Sequence, residues 1–394
     1  MTAVALQTPP LAVYLHFPWC VRKCPYCDFN SFTLHDELPE AAYVAALKAD
    51  IDAQAPGLGG RPVVSVFLGG GTPSLFSPRA IGDVLAHLRR LLPLAPDAEV
   101  TLEANPATVE RGRFAEYRDA GVNRVSLGAQ SFDPAILKVL GRIHVPADVT
   151  RGAEELHASG LANFNLDLMF ALPGQTREGA RDDLRTALSL EPAHLSHYQL
   201  TLEPGTVFAA QPPPGLPDDE LAWTLQEDCH AELAARGYAQ YEVSAFARSG
   251  RQCRHNLNYW SFGDYLGAGA GAHGKLSWPA RGVIERSTQQ REPRRFLARP
   301  VEGLTRRDVP AGELPFEFAM NALRLVDGFE TADFLARTGL PAAAIEAPLE
   351  SLLARGLVQR RREGWQTTPL GFRFLNDVLG VFLTSPKSET VTRA

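Results

Sequence analysis

Eight residues constrain this chain more than any others. Cys20-Val-Arg-Lys-Cys24-Pro-Tyr-Cys27 crowds three thiols into one short turn, directly after the apolar run Leu11 to Phe17, and the remaining residues supply only Cys229 and Cys253. Disulfide frameworks spread paired cysteines through small secreted domains. An odd total with three together points instead to metal binding or redox chemistry in a reducing compartment. Three thiolates can hold three irons of a cubane cluster and leave the fourth iron open to another ligand. A tetrahedral zinc site would want a fourth cysteine or histidine. Asp28 is a poor donor for it, and His16 would have to fold back across the strand end. Three small buried hydrophobes fit badly beside Arg22 and Lys23.

A chain of 394 residues is long enough for one large domain with smaller appendages. Its net charge of -6 provides no general basic face for nucleic acid. No apolar run is long enough to cross a bilayer, and the first ten residues lack the basic start and apolar middle of a secretory signal. The expectation is a soluble, cytoplasmic protein.

From residue 11 to about 210, short apolar runs alternate with longer segments of helical spacing. Leu11 to Phe17, Val63 to Leu68, Glu99 to Ala104, Arg124 to Ala129, Asn163 to Phe170 and Leu195 to Leu202 read as strands. Tyr43 to Ala53, Pro78 to Leu92, Thr108 to Asp119, Asp148 to Ala158 and Glu178 to Leu190 read as helices. Ser77-Pro78 makes a good helix start, and Gly121 and Gly160 make good stops. The repeated alternation implies a parallel sheet covered by helices, and six units predict an α/β partial (β/α)6 barrel. Polar residues and glycines gather where these strands end: Cys20 to Cys27, Gly69-Gly70-Gly71-Thr72-Pro73, Glu103 and Asn105, and Gln130, with Asp167 inside the fifth. Parallel α/β folds bind ligands at that edge, so one cavity assembled from distant segments is expected.

Pro212 to Pro217 breaks the pattern ahead of a helix at about Asp218 to Arg236. Tyr238 to Phe246 follows, then Cys253-Arg-His255-Asn256-Leu-Asn-Tyr259-Trp260, then a glycine-dense segment, Gly263 to Gly274, that fits sharp turns or close backbone approach. Helices near Leu314 to Leu325, Thr331 to Arg337 and Ala342 to Arg355 precede a hairpin, Leu357 to Arg361 and Trp365 to Thr367. A last helix, Leu370 to Leu379, completes a small winged-helix-like α+β module. The expected organisation is a barrel over 1–211, a segment over 212–300 that completes the core, a C-terminal module over 301–384 and a disordered tail over 385–394.

The Cys20-x-x-x-Cys24-x-x-Cys27 spacing after an apolar strand, with Gly69 to Pro73 after the next, resembles the radical S-adenosylmethionine superfamily. That resemblance implies a 4Fe-4S cluster on Cys20, Cys24 and Cys27. It also implies S-adenosylmethionine chelating the open iron through its amine and carboxylate, with reductive cleavage to a 5'-deoxyadenosyl radical as the family's chemistry. Further motifs follow in order: Tyr14-x-His16-x-Pro18, Glu103-x-Asn105-Pro, Gly128-x-Gln130-Ser-Phe, Leu140-Gly-Arg142-x-His144, Asn165-x-Asp167-Leu and Leu172-Pro-Gly174. Together they are similar to the oxygen-independent coproporphyrinogen III oxidase-like family. By that resemblance Gly70, Gly71 and Thr72 hold the methionyl end of the cofactor, while Tyr14, Glu103, Gln130, Arg142 and Asp167 line its methionyl, ribose and adenine parts. Taken singly, a triple glycine is more often a turn, and Glu103 or Arg142 a solvated residue; their shared placement at strand ends lifts them.

Two departures separate this chain from the oxidases of that family. They carry a cysteine two residues after the third cluster thiol, where this chain has Phe29, and a long segment ahead of the cluster, where nineteen residues precede Cys20. His255-Asn256-Leu-Asn-Tyr259-Trp260 resembles a motif of the family's haem-chaperone branch. The resemblance implies haem bound at His255, with Tyr259 and Trp260 against the macrocycle and an unidentified acceptor protein. A histidine among aromatics is more often a hydrogen-bonded core residue, and Cys253 is an alternative iron ligand or a plain buried thiol. The expected function is therefore a haem chaperone carrying a 4Fe-4S cluster with exchangeable S-adenosylmethionine; the alternative is oxidative decarboxylation of coproporphyrinogen III. Whether S-adenosylmethionine is cleaved, and which protein donates electrons, is left open. Any membrane association is expected through an acceptor. Arg360-Arg361-Arg362 beside the hairpin suggests nucleic acid, but three arginines are more often a solvated edge, and no nucleic-acid partner is expected.

Overall fold

The computed structural model describes residues 5–108 and 112–383; the tail expected from residue 385 lies outside them. Six parallel strands form the centre of one large sheet: β1 (Leu11–Phe17), β2 (Val63–Gly70), β3 (Leu94–Ala104), β4 (Arg124–Gln130), β5 (Phe164–Phe170) and β6 (His194–Gln199). They are hydrogen-bonded in chain order, each in parallel register with the next. The partial (β/α)6 barrel is thus present, and the strand cores fall where the apolar runs place them.

The covering helices bury the stripes that their spacing predicts. Pro78–Leu91 starts on Ser77, whose Oγ accepts from the Ala80 amide at 3.1 Å, and turns Ile81, Val84, Leu85 and Leu88 inward. Each such fully buried aliphatic side chain contributes about 1.5–3 kcal/mol.

The sheet extends beyond the six units on both sides, giving twelve strands. Past β6 lies the antiparallel hairpin Ala245–Ala247 and Ala239–Glu242. On the other side, Asp264–Ala268 runs parallel to β1 as a seventh parallel strand. Sequence reasoning missed it because its glycines hid the strand pattern. His273–Trp278, Val283–Thr288 and Thr305–Asp308 continue antiparallel from there. Thr305–Asp308, which the boundary at 301 assigns to the C-terminal module, is hydrogen-bonded as the outermost strand of the large sheet.

The C-terminal elements have their own apolar cluster around Phe318, Phe334, Ile345, Leu349 and Trp365, which also takes in Leu6, Phe262 and Ile284. Its final helical stretch is two short helices, Pro369–Arg373 and Leu375–Gly380. Arg360 pairs with Glu350 and lies over the Trp365 ring, and Arg361 pairs with Asp327.

The seventh strand is held by a buried ion cluster. Asp264 takes Arg61 Nη2 at 2.8 Å, Lys275 Nζ at 3.2 Å and Ser277 Oγ at 2.8 Å, with Asp264 and Lys275 both closed off from solvent. Burial lowers the Lys275 pKa to about 8, against the pull of Asp264. Removing one partner of such a pair leaves the other charge buried alone. Asp264→Ala should therefore cost about 3–5 kcal/mol, read as a fall in the denaturant midpoint. A loss under about 1 kcal/mol, the level of an ordinary substitution, would contradict that account.

Candidate functional site

The loop that carries the thiols is built on backbone bonds before any metal is considered. Trp19–Cys20 pairs in parallel with Phe32–Thr33, closing residues 20 to 32 into a loop. The Cys27 amide donates to the Cys24 carbonyl at 3.2 Å, and Lys23 Nζ donates to the carbonyls of Phe29 and Ser31 at 3.1 and 3.0 Å. From below, His16 Nε2 lies 2.9 Å from the Asn30 carbonyl, and Asn30 Nδ2 donates to the Ala270 carbonyl at 2.9 Å. Tyr14 OH occupies His16 Nδ1 at 2.9 Å. With both ring nitrogens engaged, His16 is not a fourth thiol-side ligand.

The glycines after β2 have a steric reason. Gly70 has φ +112°, and a Cβ there would lie 2.4 Å from the His16 ring; one at Gly71 would lie 2.6 Å from the Trp19 carbonyl oxygen. The Gly71 amide donates to the Phe17 carbonyl at 2.7 Å, and the Gly70 amide to Glu103 Oε2 at 3.0 Å.

A cavity of about 490 Å³ opens at the C-terminal ends of the strands. It brings together Cys20, Cys24, Cys27, Gly70, Gly71, Thr72, Glu103, Gln130, Arg142 and Asp167. Tyr14 does not line it; its hydroxyl lies on the His16 ring beneath the thiol loop. Phe29, at the rim, is 57% exposed. Among the described residues no group of three His, Cys, Asp or Glu closes around a single ion. Three thiols spread around one cavity suit a cluster, in which each thiolate binds its own iron, better than a zinc knuckle. Burial pushes the Cys20 and Cys27 thiols up, so binding iron there would displace their protons. Arg142 stretches along the wall, with Nη1 3.8 Å from Cys24 Sγ and Nη2 donating to the Gly128 carbonyl at 2.8 Å. Its buried Nε has no hydrogen-bond partner.

Two carboxyls face the same space. Asp167 accepts from Ser126 Oγ at 3.1 Å and Asn165 Nδ2 at 2.8 Å, and burial raises its pKa. Glu103 is pushed up to about 8 by burial and then by the neighbouring Asp167 charge. Gln130 adopts φ +70° at the end of β4 and accepts from Tyr198 OH at 2.6 Å. Sequence reading missed Tyr198, Ser196, Met169 and Asn256, which also line the cavity. For Ser196 and Tyr198 the signal was available, since alternate residues of β6 must share one face.

His255, Tyr259 and Trp260 are not brought to a common open face. The helix Arg254–Trp260 sits at the N-terminal ends of the strands, the floor of the barrel. His255 is 4% exposed, stacked on Phe67 at 4.8 Å, with Nδ1 3.3 Å from Ser65 Oγ. Burial lowers its pKa to about 3. Tyr259 stacks on Tyr265 at 4.1 Å, and Trp260 lies under the Arg324 guanidinium at 4.3 Å. Cys253 is a buried thiol that donates to Glu99 Oε1 at 3.4 Å, its pKa pushed up to about 12 by burial.

The fold and this thiol cavity define a radical S-adenosylmethionine protein. The Radical SAM superfamily profile matches residues 14–187, and the HemN C-terminal domain profile matches residues 309–374. Membership of that superfamily implies a 4Fe-4S cluster and S-adenosylmethionine. The Escherichia coli protein named heme chaperone HemW is 50% identical over 379 residues, covering 96% of this chain and 99% of that protein. The Haemophilus influenzae protein of that name is 45% identical, with 96% and 99% covered. A bovine mitochondrial protein named radical S-adenosyl methionine domain-containing protein 1 is 39% identical, with 77% and 70% covered. The solved structure of E. coli coproporphyrinogen III oxidase, HemN, superposes with a TM-score of 0.80 at 23% identity, over 95% of this chain and 90% of that one, which establishes a shared fold. The chain belongs to the HemW heme-chaperone family.

In protein freed of cluster and cofactor, the raised Glu103 pKa sets a pH dependence. The native state binds more protons than the unfolded state between about 4.5 and about 8, so stability falls as pH rises through that window. Asp50 and Asp183, pushed up by burial to about 6, act the same way at lower pH. Glu103→Gln should flatten the fall in denaturant midpoint above roughly pH 6.5. An unchanged slope there would rule out Glu103 as its source.

Proposed function

We propose that this protein binds haem and passes it to acceptor proteins, on a scaffold that carries a 4Fe-4S cluster and S-adenosylmethionine. The observation that carries this reading is its relationship over nearly the full chain to proteins named heme chaperones. The cavity described above supports the cofactor half. Cys20, Cys24 and Cys27 would hold the cluster, and Gly70, Gly71 and Thr72, which line the same cavity, would lie against the methionyl carboxylate and amine. Glu103, Gln130, Arg142 and Asp167 offer both donors and acceptors for a ribose and a base. Tyr14 would act indirectly, by fixing the His16 ring under the loop. When bound, the cluster supplies one-electron reduction and an open iron; the chain's own residues orient the cofactor and keep water from it.

Direct haem ligation by His255 would require the helix Arg254–Trp260 to leave the barrel floor. We assign that helix a holding role instead: His255 fills the floor, Asn256 faces the cavity, and Trp260 meets Arg324 of the C-terminal module. The acceptor is a protein, and association with a membrane would run through it; no described helix is long and apolar enough to cross one.

The second reading is oxidative decarboxylation of coproporphyrinogen, favoured by the fold shared with HemN. Anaerobic reconstitution followed by haem titration, with and without S-adenosylmethionine, separates the two. The expected result is a saturable Soret shift in wild type, with iron–sulfur absorption lost in Cys20→Ser, Cys24→Ser and Cys27→Ser. A wild type that shows no saturable shift sinks the chaperone reading. Formation of protoporphyrinogen from coproporphyrinogen with reductant and S-adenosylmethionine would establish the oxidase.

A further inference from the structure

Of the three cavity thiols, Cys24 alone has a cation within hydrogen-bond distance among the described residues: Arg142 Nη1, 3.8 Å from its Sγ. Cys27 meets the neutral Ser31 hydroxyl at 3.9 Å, and the Lys23 ammonium is taken up by the Phe29 and Ser31 carbonyls. Backbone geometry places the arginine. The helix Pro134–Val139 runs into Gly141, which has φ +70°; its amide donates to the Lys138 carbonyl at 3.1 Å, and the Arg142 amide donates to the Leu137 carbonyl at 2.9 Å. Those two bonds are the cap that a left-handed glycine forms just past a helix end. An added Cβ at Gly141 would lie 2.8 Å from Pro25 Cδ, so the bare glycine lets the helix end press on the residue that follows Cys24. Arg142, next in the chain, enters the cavity beside that thiol.

The guanidinium is then fixed at its far end. Nη2 donates to the Gly128 carbonyl at 2.8 Å, and a Cβ at Gly128 would lie 3.1 Å from that nitrogen, closer than a side chain ordinarily sits. The fork therefore spans from β4 to the thiol loop, with one prong on each. Its buried Nε has no partner, and among the described residues no carboxylate pairs with the charge. A cation taken out of water ordinarily has a counter-charge beside it. The titratable groups that act on it most are Tyr26, Cys24 and Tyr198. Of these only Cys24 becomes an anion in binding iron, so the thiolate is the counter-charge that this arginine is placed to meet.

We infer that Arg142 sets the reduction potential of the 4Fe-4S cluster, by holding its guanidinium against the Cys24 sulfur. The inference rests on the three thiols holding that cluster, and it goes beyond the cofactor-lining part given to Arg142 above. Reduction adds one electron, so the reduced cluster carries one more negative charge. A fixed cation at a ligand sulfur favours that form, and hydrogen bonds to cluster sulfurs are among the means by which a protein sets such potentials. The direction follows: Arg142 raises the potential, and the cluster accepts its electron from a weaker reductant.

The test is a potentiometric titration of the reconstituted full chain without S-adenosylmethionine, so that cofactor contacts do not enter, followed by the paramagnetic signal of the reduced cluster. Arg142→Gln keeps a hydrogen-bonding side chain and removes the charge; its reduction equilibrium should fall about tenfold, a lowering of about 59 mV for one electron. Arg142→Lys keeps the charge, but a single ammonium cannot hold the Gly128 carbonyl and the Cys24 sulfur together, so its potential should fall between the two. Arg22→Gln removes an exposed cation of the same cavity and should stay within about threefold of wild type, because solvent screens that charge. Iron content and iron–sulfur absorption at wild-type levels show that each variant holds its cluster. A wild-type potential in Arg142→Gln overturns the inference, as does an equal fall in Arg22→Gln. If Arg142→Gln takes up no iron, Arg142→Lys decides, and a wild-type potential there overturns it. A wild type that takes up no cluster removes the cluster reading itself, a distinct failure.

Discussion

The close approach of backbone to backbone at the end of β1 is the constraint on which this structure depends. The thiol loop leaves β1 at Phe17 and must lie flat on both neighbouring strands before it turns. On one side are Gly70 and Gly71; on the other are Gly269 and Gly271, where an added Cβ would meet the His16 carbonyl oxygen at 2.5 Å and Asn30 Nδ2 at 2.1 Å. All but Gly71 have positive φ as well, a conformation that glycine alone adopts without cost. Two glycine runs some two hundred positions apart in sequence thus grip one loop. They fix where three thiols point, and they leave the amides of Gly70 and Gly71 committed to Glu103 and Phe17 rather than to solvent.

That grip explains the burial of so much ionisable chemistry around the cavity. Glu103 and Asp167 share a space from which water is largely excluded: burial raises both, and the Asp167 charge adds to the cost of ionising Glu103. Their desolvation is tolerable only where hydrogen-bond donors are already aimed at them, as the Gly70 amide, Ser126 and Asn165 are. A polar cofactor entering this space would exchange water-like contacts for fixed ones and find its partners pre-arranged. The same economy appears under the loop, where Asp50 accepts from the Gly269 amide, Gln54 and Gln289, tying the first helix to the seventh strand.

Most of the barrel was legible in the sequence because each strand and helix there follows its own period, and the site residues announced themselves at strand ends. What was not legible has physical reasons. Asp264–Ala268 carries Gly267, where a Cβ would lie 1.9 Å from the His273 carbonyl oxygen, so the requirement for close packing erased the β-branched pattern that marks a strand. Asn256 reaches the cavity from a short helix whose placement depends on the tertiary arrangement and not on local sequence.

The aromatic histidine motif distributes its residues among separate contacts. Over one short helix its side chains point to separate tasks. Cys253 and the His255 amide both engage Glu99, which neighbours the buried Arg124 at 3.8 Å, and so help neutralise a charge at the barrel floor. Asn258 Nδ2 donates to the Asp264 carbonyl at 2.9 Å, joining the helix to the seventh strand. Tyr259 stacks on Tyr265, whose hydroxyl accepts from Arg286 at 2.6 Å, and Arg286 in turn pairs with Glu317 in the C-terminal module. Trp260 reaches the same module through Arg324, which pairs with Glu242 at 3.2 Å beside the cofactor cavity. These contacts join the floor, the seventh strand and the C-terminal module. Arg324 thus ties Trp260 to Glu242, a lining residue of the thiol cavity, so the helix reaches the site through a cation and a carboxylate as well as through Asn256.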